Sequence, residues 1–208
     1  MTLKNENIYQ HPDVMDTQGE KEQLLKQHGH IVWFYGLSGS GKSTLALALE
    51  KRLKTEGYLT QILDGDSIRS GLNYDLSFSD KDRAENIRRI AEVAKLFLNA
   101  GIVTLTAFIT PKIEFRDMAK KIIGSDNISE VYVKCPLEIC EARDVKGLYA
   151  KAESGHIKEF TGKDSVFEEP TNCDLTIDTK ECNIDECIEI LYPQIIPQIY
   201  FQNRIKSK

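Results

Sequence analysis

The sequence has few of the features that mark secreted, membrane-bound or nucleic-acid-binding proteins. Its 208 residues carry a formal net charge of -5, so the strong positive field that non-specific nucleic-acid binding needs is missing. No apolar run approaches the roughly 20 residues of a membrane-spanning helix. Residues 1–20 are polar and lack the apolar core of a signal peptide. We therefore expect a cytoplasmic protein that binds neither nucleic acid nor membranes.

Cysteine and histidine are also sparse, and neither is arranged as metal ligands usually are. The five cysteines are odd in number and contain no C-x-x-C pair, which is typical of reduced thiols rather than disulfides or a zinc site. The four histidines are scattered along the chain. We expect no structural metal, and the length suits one α/β domain.

Glycine is concentrated in a motif that binds phosphates. Residues 36–44 read Gly-Leu-Ser-Gly-Ser-Gly-Lys-Ser-Thr and match the pattern G-x-x-x-x-G-K-[ST], between an apolar run and an Ala/Leu-rich helical pattern. Backbone N–H groups of such a loop hold the phosphates, the lysine reaches the β- and γ-phosphates, and the serine hydroxyl ligates Mg²⁺. The motif therefore predicts a nucleoside triphosphate and Mg²⁺ as ligands. The predicted nucleotide-binding residues are Gly36, Ser38, Gly39, Ser40, Gly41, Lys42, Ser43 and Thr44.

Predicted strands and helices alternate along the whole chain. The strand patterns lie at 31–35, 59–63, 102–109, 128–134 and 174–178. A long helix is predicted to start at Ser79, with Asp82 as its capping partner, and to stop at Gly101. This alternation predicts an α/β fold, a P-loop NTPase-type parallel sheet with helices on both faces. We divide the chain into an extension at 1–29, a P-loop domain at 30–196 and a basic tail at 197–208.

Polar residues mark a second binding region next to the phosphate loop. Asp64 and Asp66 follow the second strand, where they could bind metal-bound water and accept a proton from an attacking hydroxyl. Arg83 and Asn86 begin the apolar stripe of the long helix, so this end should face a cavity; with Arg69 they suit a phosphate or sulfate group. Phe78 could stack on a base. A solvated turn at Asp64 and ordinary surface ion pairs of the arginines are the alternative interpretations.

Residues 143–163 combine hinge glycines with lysines just before the last strand. Glycines stand at 147, 155 and 162, and lysines at 146, 151, 158 and 163. Such a segment suits a mobile lid that closes over phosphates and excludes water, although the composition equally fits a charged surface helix with loops.

Taken together, these segments resemble the adenylyl-sulfate kinase (APS kinase) family. The resemblance covers Gly29 to Thr179, nearly the whole domain. The first of the five matching blocks is shared by many kinases, whereas the second through fourth are specific in order and spacing. The matching blocks are 36–44, Leu-Asp-Gly-Asp-Ser-Ile-Arg-Ser-Gly-Leu (63–72), Asp-Leu-Ser-Phe-Ser-Asp-Lys-Asp-Arg-Ala-Glu-Asn-Ile-Arg-Arg (75–89), Pro-Leu-Glu-Ile-Cys-Glu-Ala-Arg-Asp-Val-Lys-Gly-Leu-Tyr (136–149) and Phe-Thr-Gly-Lys-Asp (160–164).

The resemblance implies transfer of the ATP γ-phosphate to the 3′-hydroxyl of adenosine 5′-phosphosulfate, giving PAPS and ADP. It implies that Asp66 is the base and that Arg143 lies against the ATP adenine, while Ser43 and Asp64 remain the residues predicted for the metal from the motif and the strand end. It further implies a homodimer, and an N-terminal segment (5–29) that can lie over the substrate site. The substrate-binding residues that it implies are Asp66, Arg69, Phe78, Arg83, Asn86, Ile109, Lys146, Leu148 and Phe167, with Phe78 and Phe167 on either side of the adenine.

The chain departs from the family pattern at three places. Thr110-Pro111 replaces a Ser-Pro whose serine has been described as phosphorylated; we expect direct in-line transfer, which needs no covalent intermediate. Glu153 reverses a lid charge, and Val166-Phe167 replaces Pro-Tyr. The alternative functions are another small-molecule kinase, a PAPS-binding sensor and a GTPase. A sensor would be expected to have lost the phosphate-loop lysine, whereas this chain has Lys42. The sequence also lacks the N-K-x-D motif with which a GTPase reads guanine.

Overall fold

The computed structural model describes residues 17–144, 147–153, 161–162 and 165–202. Five parallel strands form one sheet in the order β2-β3-β1-β4-β5, which confirms the predicted architecture. The strands are β1 (His30–Tyr35), β2 (Thr60–Asp64), β3 (Val103–Ala107), β4 (Ile128–Lys134) and β5 (Leu175–Asp178). The α-helices of the described part are α1 (Gln18–Leu25), α2 (Lys42–Thr55), α3 (Gly65–Ser70), α4 (Asp80–Asn99), α5 (Ile113–Ile123), α6 (Leu137–Arg143), α7 (Leu148–Glu153) and α8 (Ile184–Ile199).

The central strand β1 is buried on both faces, because helices cover both sides of the sheet. Val32 and Phe34 share a core with the buried leucines of α2 and with α8. Ile31, Trp33 and Tyr35 point the other way, into a core with α4 and α5. Alternate side chains of a strand face opposite sides, so a strand covered on both faces must be apolar throughout. The short apolar run before the phosphate motif has this structural origin.

Helix α4 forms where the sequence predicts it. The Ser79 side chain accepts a hydrogen bond from the backbone N–H of Asp82, which caps the first turn. The helix ends before Gly101, whose φ of +76° is costly for any residue with a Cβ atom. The stripe of Ile87, Ile90 and other apolar side chains is buried against the sheet. The first turns of α4, which carry Arg83 and Asn86, lie near the carboxyl ends of the strands.

The chain ends differ in part from the predicted division. Helix α8 continues through Pro193 and Pro197 to the fully buried Ile199, so residues 197–199 belong to the helix rather than to a separate tail. Burial of this apolar face outweighs the backbone hydrogen bonds that the two prolines remove. Residues 203–208 lie outside the described residues.

The described part of the predicted N-terminal extension packs at the amino ends of the strands. The Gln27 side chain donates to the carbonyls of Leu59 and Gly101, which precede β2 and β3. Residues 17–29 therefore lie at the edge of the sheet opposite the carboxyl ends of the strands. Residues 1–16 lie outside the described residues, and the gating role stays a prediction for them. Within the described ranges, no helix has the length and apolar character needed to cross a membrane.

Candidate active site

A cavity of about 1040 Å³ lies at the carboxyl ends of β1, β2 and β3. It brings together the phosphate loop, the residues that follow β2 and β3, the start of α4 and parts of the predicted lid. The predicted site residues that line it are Ser38, Gly39, Gly41, Lys42, Ser43, Thr44, Asp64, Asp66, Arg69, Phe78, Arg83, Asn86, Ile109, Arg143 and Leu148. In parallel α/β sheets this edge is the usual place for a ligand.

Two glycines of the phosphate loop are required by close backbone contacts. A Cβ atom on Gly36 would lie 2.4 Å from the Val133 carbonyl oxygen, and one on Gly39 would lie 2.8 Å from the Cys140 carbonyl oxygen. Both residues also have positive φ. Gly36 and the buried Ser40 do not line the cavity themselves. They shape the loop that presents the backbone N–H groups.

Lys42 makes a contact within the phosphate loop, and Ser43 joins the loop to the end of β2. The Lys42 Nζ atom donates to the Leu37 carbonyl at 2.6 Å, and the Ser43 Oγ atom donates to Oδ2 of Asp64 at 2.7 Å. The other carboxylate oxygen of Asp64 accepts from the backbone N–H of Asp66 at 3.1 Å and caps α3. A hydroxyl and a carboxylate at one point of the cavity are the oxygen ligands that Mg²⁺ prefers, so these residues fit the predicted metal.

Two arginines and an aromatic ring form another part of the cavity wall. The Arg69 guanidinium lies 4.4 Å from the centre of the Phe78 ring, and Arg83 donates to the Phe78 carbonyl at 2.7 Å. Burial lowers the pKa of Arg69, and the nearby charge of Arg83 lowers it further. An anion bound between the two guanidinium groups would relieve this repulsion. This wall therefore suits a negatively charged ligand beside a flat ring.

Two of the predicted substrate residues are not placed on this cavity. Phe167 lines a neighbouring cavity of about 380 Å³ and stacks on Tyr132, with the ring centres 5.8 Å apart. The structure thus places Phe167 and Phe78 on different cavities. Lys146 lies outside the described residues.

Arg143 lies across the phosphate loop at the start of the predicted lid. Its guanidinium donates to the Gly39 carbonyl at 3.4 Å, and to the carbonyl and hydroxyl of Thr179 at 2.8 and 3.2 Å. The Thr179 hydroxyl in turn donates to the Ser40 carbonyl at 2.8 Å. Arg143 therefore reaches the cavity from the end of α6, while Thr179 holds the loop and the arginine together.

Tyr149 and Thr161 are functional candidates that the sequence analysis did not single out. The buried Tyr149 hydroxyl donates to the Ser38 carbonyl at 2.9 Å and so fixes α7 to the phosphate loop. Burial raises the pKa of Tyr149, which keeps it a donor. Thr161 is also buried, and its hydroxyl accepts a hydrogen bond from Arg83. Tyr149 is the last residue of the matching block 136–149, and this was the one feature of the sequence that could have indicated its role.

The described residues contain no cluster of three or more histidine, cysteine or acidic side chains that could hold a metal ion. All five cysteines are free thiols. Ser43 and Asp64 are predicted to serve a different kind of site, in which substrate phosphates and water would complete the shell of a Mg²⁺ ion.

Known proteins resemble this chain over most of its length. Residues 28–178 match the family model described as "Adenylylsulphate kinase". An adenylyl-sulfate kinase of Bacteroides thetaiotaomicron is 54% identical over 199 residues, which cover 96% of this chain and 98% of the relative.

Among solved structures, this chain resembles the APS kinase of Mycobacterium tuberculosis in complex with AMPPNP and APS. The TM-score is 0.77 at 44% identity, over 81% of this chain and 98% of that one. A hexameric APS kinase from Thiobacillus denitrificans has a TM-score of 0.65 at 28% identity, over 93% of this chain and 34% of that one. With the family model and a relative at this identity over almost the full length, the chain belongs to the adenylylsulphate kinase family.

Proposed function

We propose that this chain transfers the γ-phosphate of ATP to the 3′-hydroxyl of adenosine 5′-phosphosulfate, giving PAPS and ADP. The observation that carries the proposal is the meeting of two binding surfaces in one cavity. The phosphate loop lines the same cavity as Asp64 and Asp66 and as the polar set of Arg69, Arg83 and Asn86. The relatives carry the name of this activity, and a related structure was solved with AMPPNP and APS.

On the nucleotide side, the phosphate loop holds the ATP phosphates through its backbone N–H groups and the N-terminus of α2. Lys42 is buried at the first position of α2, and we expect its ammonium group to turn from the Leu37 carbonyl toward the β- and γ-phosphates. Arg143 is the proposed contact of the ATP adenine, and its hydrogen bond to the Gly39 carbonyl in the loop supports this role. These groups hold ADP in place as it becomes the leaving group.

Ser43 and Asp64 would hold the Mg²⁺ that accompanies ATP. When bound, this ion would neutralise part of the negative charge of the phosphates. The 2.7 Å hydrogen bond between the two side chains keeps their oxygens together beside the loop. Mg²⁺ is therefore the proposed cofactor.

Asp66 is the proposed general base. It lies in the first turn of α3, two residues after the end of β2, and it lines the cavity. In the transfer, the 3′-oxygen forms a bond to the γ-phosphorus, the bond to the ADP oxygen breaks, and the hydroxyl proton passes to the Asp66 carboxylate. Positioning and charge stabilisation supply most of the acceleration in reactions of this class.

The acceptor side binds a base and a doubly anionic group. Phe78 is half exposed at the cavity, and its ring can stack on the adenine. Arg69, Arg83 and Asn86 bind the phosphosulfate, with Ile109 and Leu148 on the walls. We keep Phe167 and Lys146 as predicted substrate contacts. For Phe167 this requires movement of the segment around 165–167 relative to the cavity that it lines.

The lid closes on the phosphate loop through α7. The Asp144 carboxylate accepts from the backbone N–H groups of Tyr149 and Ala150, both at 3.1 Å, and this fixes the first turn of α7. Tyr149 joins that turn to the loop at Ser38. A lid attached in this way excludes water from the transferred phosphate, which would otherwise be lost to hydrolysis.

We further propose a cytoplasmic homodimer. Free thiols at all five cysteines suit a reducing compartment. The dimer follows from the family resemblance, and a hexameric relative shows that larger assemblies occur. Light scattering of the purified chain measures the assembly directly.

The test of the proposed function is ADP release with ATP and Mg²⁺, comparing adenosine 5′-phosphosulfate with AMP, a sugar acid and no acceptor. We expect rapid turnover with the phosphosulfate alone. Turnover with a different acceptor would assign another small-molecule kinase. Tight binding of PAPS or ADP without turnover would assign the sensor.

A further inference from the structure

A buried residue next to the proposed acceptor site, Asn73, is hydrogen-bonded to the side-chain amide of Asn86. Asn73 lies in the loop between α3 and α4 and is fully buried. It does not line the cavity, whereas Asn86 does. The Nδ2 atom of Asn73 donates to Oδ1 of Asn86 at 2.9 Å.

This hydrogen bond fixes the orientation of the Asn86 side chain. An asparagine amide has a donor end and an acceptor end, and its orientation is set by its hydrogen-bond partners. Because Oδ1 of Asn86 is used by Asn73, the Nδ2 end is the one left for the cavity. The N–H groups of Asn86 then add to the positive wall of Arg69 and Arg83. The reversed amide would place a carbonyl oxygen against the anion.

The surroundings of Asn73 favour the observed orientation over the reversed one. Its backbone is held on both sides, by a 2.9 Å bond from its N–H to the Ile68 carbonyl and a 3.1 Å bond from Leu76 to its own carbonyl. Its Oδ1 atom is buried without a hydrogen-bond partner among the described residues. Reversal would put an NH₂ group there, and a buried donor without an acceptor is worse tolerated than an under-used carbonyl.

We propose that Asn73 is a positioning residue that keeps the N–H groups of Asn86 directed at the anionic group of the acceptor. The proposal rests on the proposed function, because it concerns recognition of the phosphosulfate. Asn73 acts through Asn86 alone, so its removal should weaken acceptor binding and leave ATP binding unchanged.

The first variant for the test is Asn73→Leu, a neutral side chain of similar size without a donor. We expect the KM for adenosine 5′-phosphosulfate to rise about tenfold or more, the effect of one hydrogen bond to a charged group, with the KM for ATP unchanged. In an Asn86→Ala background the same substitution should change neither KM, since coupled residues are non-additive. Equal effects in both backgrounds would overturn the proposal, as would an unchanged acceptor KM in the single variant.

Arg89→Leu is the matched control for general loosening of the loop. Arg89 joins the same loop to α4 through Asp75, with N–O distances of 2.7 and 2.9 Å. We expect this control to lower stability without the acceptor-specific effect; an equal rise in acceptor KM would reduce Asn73 to a structural role.

Should Asn73→Leu fail to fold, Asn73→Asp at pH 8 replaces it. Its carboxylate accepts from Nδ2 of Asn86 and reverses that amide, so a wild-type acceptor KM would overturn the proposal. Wild-type enzyme inactive with the phosphosulfate would instead contradict the proposed function.

Discussion

The indole N–H of Trp33 donates a 3.0 Å hydrogen bond to the hydroxyl of Thr110, at the point where β3 leads into the cavity. Thr110 is buried, and its φ of +41° lies in the left-handed region that a β-branched residue rarely adopts. The hydroxyl is thus engaged by a buried donor on the neighbouring strand. This contact gives Thr110 a structural role, in holding the turn before Pro111.

We therefore predict that Thr110→Ala retains turnover within a few-fold of wild type, because direct in-line transfer needs no phosphorylated residue. The variant should lose about 1–3 kcal/mol of stability, since the Trp33 indole is left without an acceptor. Steady-state turnover and urea unfolding measure the two effects. Thr110→Ser, which keeps a hydroxyl, is the control: an inactive alanine variant beside an active serine variant would indicate a covalent role.

Lys42→Ala should lose activity by a factor of order 10² or more, because the substitution removes a charge aimed at the phosphates in the transition state. Lys42 is buried at the start of α2, so the loss should appear in kcat as well as in ATP affinity. The exposed Lys51 on the same helix gives the control Lys51→Ala, which should behave like wild type. Near-normal turnover of Lys42→Ala would refute the assignment of the phosphate loop.

Local patterns in the sequence predict the parts of the site that depend on local physics. The phosphate loop requires positive-φ glycines before a helix, and these leave a fixed spacing in the sequence. The cavity end of α4 is visible because Arg83 and Asn86 interrupt an apolar stripe, and both are buried at the cavity wall. The five strands are equally local, since each is a short segment with several β-branched or other apolar residues.

The rest of the site depends on contacts between distant segments. The hydrogen bond between Tyr149 and Ser38 joins residues 111 positions apart in the sequence. The bond between Arg83 and Thr161 joins residues 78 positions apart. Nothing in the local pattern of Asn73 distinguishes it from a loop asparagine, because its role is visible only in its bond to Asn86. The place of Phe167 likewise follows from packing on Tyr132, which the sequence does not show.

Acid should destabilise the protein through His30, the first residue of β1. Burial lowers the pKa of His30 to about 4 against an ordinary value of 6.5, and nearby Asp174 opposes this only in part. Between these two pH values the unfolded chain binds the extra proton, so stability falls as pH falls. From pH 7.5 to 5 we expect a loss of about 2 kcal/mol from this residue.

Urea unfolding at both pH values measures this loss. His30→Gln, which can keep the hydrogen bond to Ser129, is the control, and its acid dependence should be weaker than that of wild type by the same amount. An identical dependence in both proteins would show that His30 does not titrate in this range.

Asp66→Asn should separate binding from chemistry. The amide keeps the size of the side chain but cannot accept the proton of the 3′-hydroxyl, so we expect kcat to fall by roughly 10²–10⁴ with both substrates still bound. Asp64→Asn is the matched comparison, because Asp64 bonds to Ser43 beside the phosphate loop. That variant should raise the Mg²⁺ concentration needed for half-maximal turnover. Titration calorimetry with ADP and with adenosine 5′-phosphosulfate decides between the roles: if nucleotide binding fell together with kcat in Asp66→Asn, Asp66 would belong to the metal site and a different group would have to take the proton.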